Sequence, residues 1–388
     1  MTASTPPAVF RRPLTWKNGG WLLALLGIVC VGGALAVLFG GPRRQGDGQR
    51  VESYGFELSH LLVPKAKVVA GGMPQDFLKA LDSPPTLGPA DLARENGRNP
   101  YRKFLLPHDR VLGVVRGGEA RAYPLNSLMY HEVINDTVGG RAILVTYHAL
   151  CDSAVVFERG AAGEGMAPCK LRVSGLLYNS NLLMYDVAGP GRESLWSQLE
   201  GRAISGPSAG KPLNILACAV TTWEVWLRDH PETRIMAPDP ETEKPLADIS
   251  YTNYFATDRL KFPVDPAWNA KVMPNKTPVL AVRMRDSATW RVYVIPELAG
   301  LDPSARAKVL HMAGVKFTWH DADLKPPVTG PSLVAEALSP DQPISCVYSF
   351  IFAWHALHPE DGDVVKPAAS GGVGLETSEP LKFPSVAK

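Results

Sequence analysis

His148 and Cys151 stand at the two-residue spacing common among metal ligands, directly after the β-branched run Ala142–Tyr147. His131 lies 17 residues before His148, beyond the turn signal Asp136-Thr137-Val138-Gly139-Gly140. A hairpin centred on Val138-Gly139 sets His131 opposite Thr146, within roughly 5–8 Å of His148 as a direct or diagonal strand neighbour. Two imidazoles and a thiolate converging at one sheet end suit copper or zinc, with Cys-containing trigonal sites leaning towards copper. Glu132 and Asp152 are candidate further ligands, or acceptors that orient the imidazoles from behind. The plainer alternative makes the two histidines hydrogen-bonded residues and Cys151 a small buried hydrophobe.

Tyr147, Asn179 and Asn181 rank lower, as residues lining a ligand. The run Leu176–Asp186 has an Asn-Ser-Asn centre, which reads first as a turn in which each side chain bonds local backbone. Other signals fail. Gly206–Lys211 has three residues between its glycines where a phosphate loop needs four, and Pro212 replaces the required Ser or Thr. His131-Glu132-Val133-Ile134-Asn135 begins like a zinc-protease helix but lacks the second histidine. No dinucleotide fingerprint occurs, so no nucleotide cofactor is indicated.

The elements that would position these residues read as short strands. Val111–Arg116, the turn Gly117-Gly118 and Glu119–Tyr123 form a hairpin. Pro124 starts a short helix over Leu125–Tyr130, and further strands are expected at Ala142–Tyr147, Ala154–Glu158, Leu171–Leu176, Leu182–Val187 and Ile215–Val220. Thr221–Asp229 has Trp223 and Trp226 on one helical face and stops at Pro231. Residues 43–110 read as an irregular approach region. A diverged internal repeat is also visible: Val111–Arg116 is similar to Val279–Met284, and Trp226–Glu232 to Trp354–Glu360, giving units 111–233 and 279–361.

Composition narrows the class. Of 388 residues, 35 are Gly and 35 are Pro, an excess that disfavours a helical bundle and fits many turns. Hydrophobic residues are 45% and charged residues 20%, enough apolar content for a substantial core and against overall disorder. A formal charge of +2 gives no field to attract nucleic acid. Five cysteines are too few and scattered for a disulfide scaffold.

Trp21–Phe39 carries no charge over 19 residues, long enough to cross a bilayer as one helix. Arginines and lysines flank it on both sides, so charge counting leaves orientation open. The expected organisation is a cytoplasmic N-terminus (1–20), a transmembrane anchor (21–39), a linker (40–70), a main domain (71–366) and a flexible tail (367–388).

Several motifs in order carry a resemblance. They include Gly71-Gly72-Met73-Pro74-Gln75-Asp76, Ala122-Tyr123-Pro124-Leu125, His131–Gly140, Val145-Thr146-Tyr147, Gly175–Asp186, Ser194-Leu195-Trp196-Ser197-Gln198, Thr221-Thr222-Trp223 and Phe352-Ala353-Trp354. Over roughly residues 60–360 the chain resembles the bacterial family catalogued as domain of unknown function 3179. Members usually show Cys-Pro-Leu-Cys where this chain has His148-Ala149-Leu150-Cys151. A thiol–disulfide exchange motif needs both sulfurs, whereas a metal site tolerates exchange of Cys for His.

The expectation is therefore an α+β fold, predominantly antiparallel β with short helices, in two diverged repeats behind one N-terminal transmembrane helix. The chain is expected in the bacterial inner membrane, single-pass, with its body in the periplasm or outside the cell. Its leading expected role is copper or zinc binding through His131, His148 and Cys151, in metal handling or metal-dependent redox chemistry. The competing expectation is a non-catalytic module that binds or assembles with a membrane-protein partner. A hydrolase or transferase using Glu132, Asp136 or Asp186 ranks last, because no spacing specifies the pair.

Overall fold

In the computed structural model the described residues are 45–98, 103–160, 169–189, 191–246, 251–324, 330–360 and 363–365, together with Trp21 and Leu25. The expected anchor (21–39) lies outside them apart from those two residues, both helical and exposed, and the expected tail lies outside them altogether. No helix of the described residues is long and apolar enough to cross a membrane.

The approach region contributes strands β1 (Val68–Ala70), β2 (Leu81–Asp82) and β3 (Thr86–Leu87), then helix α1 (Pro89–Arg98). β4 (Arg110–Arg116) and β5 (Glu119–Pro124) form a hairpin that feeds one helical turn, α2 (Leu125–Leu128). β6 (Val133–Val138), β7 (Arg141–His148) and β8 (Ser153–Glu158) make an antiparallel meander. Next come the hairpin β9 (Leu171–Tyr178) and β10 (Asn181–Asp186), then β11 (Leu195–Ser197), β12 (Arg202–Ala203) and β13 (Asn214–Ile215). β14 (Ala219–Thr222) runs straight into α3 (Trp223–Asp229), followed by β15 (Arg234–Met236) and the helical turns α4 (Pro240–Glu243) and α5 (Thr252–Phe255). The chain continues through β16 (Pro278–Met284), β17 (Arg291–Val294), α6 (Ile295–Ala299), α7 (Pro303–Val309), β18 (Val315–Leu324), β19 (Gly330–Ala337), β20 (Ile344–Phe350), α8 (Ile351–Leu357) and β21 (Asp363–Val365).

These strands form a mostly antiparallel α+β fold. A central sheet runs β2-β6-β7-β8-β20-β16-β17-β21, with β13 added on β8. One outer sheet, β1-β9-β10-β11-β12, shares a core with one face of the central sheet through Val133, Leu144, Val155 and Phe157. A second outer sheet, β14-β4-β5-β15-β3, shares a core with the opposite face through Ile134, Ile143, Val145 and Val156. The central strands are therefore apolar at consecutive positions, as two-sided burial demands. Tyr54, in the segment expected to be a linker, is fully buried in the first core, and β1 pairs with β9, so residues 45–70 belong to the body.

Two glycine turns fix how the layers meet. Gly139 and Gly140 have φ of 54° and 70°, the left-handed pair that a two-residue hairpin turn requires. A Cβ on Gly139 would sit 2.0 Å from the Arg116 carbonyl oxygen, and one on Gly117 would sit 2.5 Å from the Gly139 carbonyl oxygen. The tips of the β4–β5 and β6–β7 hairpins touch there, backbone against backbone.

The strand quartets β14-β4-β5-β15 and β20-β16-β17-β21 have the same order and directions. Leu112 pairs with Val220 and Tyr123, while Leu280 pairs with Tyr348 and Tyr293. In both quartets the last strand runs parallel to its neighbour, Ile235 beside Ala122 and Val364 beside Val292. The helices α3 and α8 follow the first strand of each quartet.

Candidate functional site

The β6–β7 hairpin turns on Gly139-Gly140, not on Val138-Gly139, so its register differs by two residues from the expected one: Val133, not His131, faces Thr146. A shift of two preserves which face each residue occupies but carries His131 beyond the end of the ladder. Glu132 has a left-handed φ of 57°, which bends the chain out of the strand just before β6. The fully buried His131 ring consequently turns away from the sheet. Its Nδ1 donates to the Lys79 carbonyl oxygen at 2.8 Å, and its Nε2 lies 3.8 Å from Glu243 Oε1 without a hydrogen bond.

His148 and Cys151 do converge. His148 ends β7, and Ala149–Cys151 make one tight helical turn closed by Asp152 at φ 44°. The Ser180 carbonyl oxygen lies 3.2 Å from His148 Nε2 and 3.1 Å from Cys151 Sγ. On the other side of the imidazole, Nδ1 lies 2.8 Å from Glu132 Oε1. The carbonyl is aimed inward by the β9–β10 turn, where Asn179 and Ser180 both have positive φ. Burial pushes the Cys151 thiol far above its ordinary range, and a hydrogen bond from Asn181 only partly offsets this.

The remaining expected site residues have other partners. Tyr147, neighbour of His148 on β7, points to the opposite face and donates to Asp152 Oδ1 at 2.8 Å. Asp152 forms a two-pronged pair with Arg110, both contacts 2.9 Å, and both side chains are buried. Burial alone would depress the Arg110 pKa, and the adjacent Asp152 carboxylate reverses the direction to a net rise. Asn181 belongs to a closed network, its Nδ2 donating to Ser153 Oγ at 3.1 Å and Gln198 Oε1 at 2.9 Å. Gln198 Nε2 in turn donates to Thr146 Oγ1 at 2.9 Å. Asn179 spans outward, donating to the Asp265 and Ala356 carbonyl oxygens and accepting from the Asp265 amide, each at 3.0 Å.

Residues 251–277 cover the cluster. Tyr254 donates to the Leu150 carbonyl oxygen at 2.8 Å, Phe255 packs edge-on against Phe350, and Lys276 Nζ sits 3.4 Å from the centre of the Tyr254 ring. Sequence reasoning names Glu132 as a candidate acceptor behind an imidazole but misses this cover, the Ser180 carbonyl and Arg110. Only Arg110 left a signal, as a charged residue opening an apolar strand.

Among the described residues no group of three or more His, Cys, Asp or Glu side chains is arranged to hold a metal ion. The donors that meet are one imidazole nitrogen, one sulfur and one main-chain oxygen. A tetrahedral site with bonds of about 2.0–2.3 Å separates neighbouring donors by about 3.3–3.8 Å. The 3.2 and 3.1 Å contacts to the Ser180 oxygen are within a few tenths of an ångström of that spacing. The carboxylate behind the imidazole is the partner that fixes the tautomer of a ligating histidine.

No curated protein and no solved structure matches the sequence significantly. The model of the family described as Protein of unknown function (DUF3179) matches residues 85–361, spanning the first strand quartet, the second apart from β21, and the whole His148–Cys151 cluster, and the chain belongs to that family.

Proposed function

We propose that this protein binds copper or zinc extracytoplasmically, through His148 Nε2 and Cys151 Sγ with the Ser180 carbonyl as third donor. The observation that carries the reading is the convergence of those three atoms while Glu132 holds the far side of the imidazole. Charge supports it: a divalent ion, the Cys151 thiolate and the Glu132 carboxylate sum to zero, which a buried site tolerates far better than a net charge. His131 is not a ligand in this reading, because its two ring nitrogens lie against the Lys79 carbonyl oxygen and Glu243, not against the Ser180 carbonyl that His148 and Cys151 share.

Metal analysis of the full chain, purified under reducing conditions, tests the proposal beside His148→Ala, Cys151→Ala and His131→Ala. Near-stoichiometric copper or zinc is expected in the wild type and His131→Ala proteins and loss in the other two. Equal, substoichiometric metal in all four refutes it. The anchor at residues 21–39 places the body outside the cytoplasm in this reading. Protease added to spheroplasts should then degrade the body, and complete protection would reverse the orientation.

A further inference from the structure

A cleft of about 750 Å³ opens between β4, β14 and α3 on one side and the β18–β19 hairpin on the other. That volume is typical of small-molecule sites. None of its lining residues belongs to the His148–Cys151 cluster. Its apolar lining includes Val225, Trp226, Val334 and Ile344, and Trp226 reaches its place because β4 has glycine at position 113, where a Cβ would fall 2.2 Å from the indole.

Four cationic side chains line the cleft, and three are neutralised. Lys316 pairs with Glu336 at 3.0 Å, Arg228 with Asp229 at 2.8 Å and Arg116 with Glu158 at 2.9 Å. The fourth, Arg285, makes no ion pair or side-chain hydrogen bond with the described residues, and its Nε is buried. A guanidinium partly withdrawn from water without a carboxylate leaves a donor fork suited to an incoming anion.

The second strand quartet supplies an independent comparison. Trp354 on α8 and His358 just past its end stand where Trp226 on α3 and His230 just past its end stand, each histidine amide bonded to the tryptophan carbonyl at 2.8 Å. In the second quartet the pair is covered by the chain itself: Trp290 packs edge-on against Trp354 at 5.3 Å, and His358 Nε2 meets the Leu199 carbonyl oxygen at 2.9 Å. In the first quartet the His230 ring rests on Trp226 at 4.0 Å, its nitrogens have no hydrogen-bond partner among the described residues, and both residues line the cleft. Both tryptophans are nearly buried, and what differs is the histidine edge: His358 is engaged by a carbonyl, whereas His230 lines the cleft.

We propose that this cleft binds a small amphipathic organic anion, its carboxylate on Arg285 and its apolar body against Trp226 and Val334. Three probes differing only in head group test it: 4-phenylbutyrate, 4-phenylbutan-1-ol and 4-phenylbutylammonium, titrated into the full chain in lipid nanodiscs by ligand-detected NMR, with empty nanodiscs as blank. The butyrate is expected to bind saturably and at least tenfold more tightly than the alcohol or the ammonium. Arg285→Gln should abolish that preference, Arg285→Lys should keep most of it, and Lys316→Gln should change it less than threefold. Equal binding of the three probes, or an unchanged preference in Arg285→Gln, overturns the proposal. If Arg285→Gln does not fold, the wild-type comparison decides alone.

Discussion

The metal binding proposed at Cys151 is linked to protons, and the burial of the thiol sets the size of the linkage. The thiol is fully buried and its pKa is pushed far up by burial, so across the neutral range it carries its proton. Only the thiolate is a ligand, so each ion bound releases that proton. Below the thiol pKa the apparent affinity therefore rises tenfold per pH unit, equivalent to about 1.4 kcal/mol. Between pH 6.5 and 8.5 the expected gain is about a hundredfold for the one proton at Cys151. The assay is competition with a chromophoric chelator at fixed ionic strength, corrected for the protonation of the chelator itself. Cys151→Ala should show weak binding that lacks the Cys151 share of the slope. A wild-type affinity independent of pH, or a Cys151→Ala protein with the wild-type slope, would refute the reasoning.

Other perturbations have expected sizes. Asp152→Asn leaves Arg110 as an uncompensated buried cation and should cost about 3–5 kcal/mol in denaturant unfolding. The thiols of Cys151, Cys218 and Cys346 are all buried with raised pKa values, that of Cys346 to about 12. Above pH 9 the unfolded chain releases these protons while the folded chain holds them, so stability falls as pH rises, by about 1 kcal/mol per thiol between pH 9 and 10. Unfolding midpoints unchanged between those pH values would contradict this. Asn179→Ala removes three hydrogen bonds to residues 265 and 356 and should raise hydrogen exchange in 251–277 well before global unfolding.

What the sequence disclosed follows the range of the interaction concerned. The hairpins at Gly117-Gly118 and Asn179-Ser180 were legible because turn chemistry is local, and β7 was legible because three adjacent apolar residues need a strand buried on both faces. The apolar run 215–220 was read as one strand, but it divides: Ile215 pairs with Phe157 in the central sheet and Ala219 with Gly113 in the outer one. A crossing between layers leaves no mark in hydrophobicity. The displacement of His131 depends on a left-handed Glu132, a conformation a non-glycine residue rarely announces. The Ser180 donor is a backbone atom, so its residue type carries no information about it.

The turn at His148 has the geometry to accept a cysteine in place of the histidine. Residues 148 and 151 flank a single tight helical turn, Ala149–Cys151. With about 2 Å rise and three residues per turn, such positions stand on one side, roughly 6 Å apart. That separation lies within the Cα distances a disulfide accepts. A thiol at 148 has only one bond beyond its Cβ and falls short of Ser180, whereas the longer imidazole spans from Glu132 on one side to that carbonyl on the other. His148→Cys should therefore lose the Glu132 contact and close a bond to Cys151 under mild oxidation, seen as two fewer titratable thiols and their return with reductant. The same variant should lose the tight metal binding proposed for the wild type when oxidised. Two free thiols persisting under oxidation would show that the turn holds these positions apart.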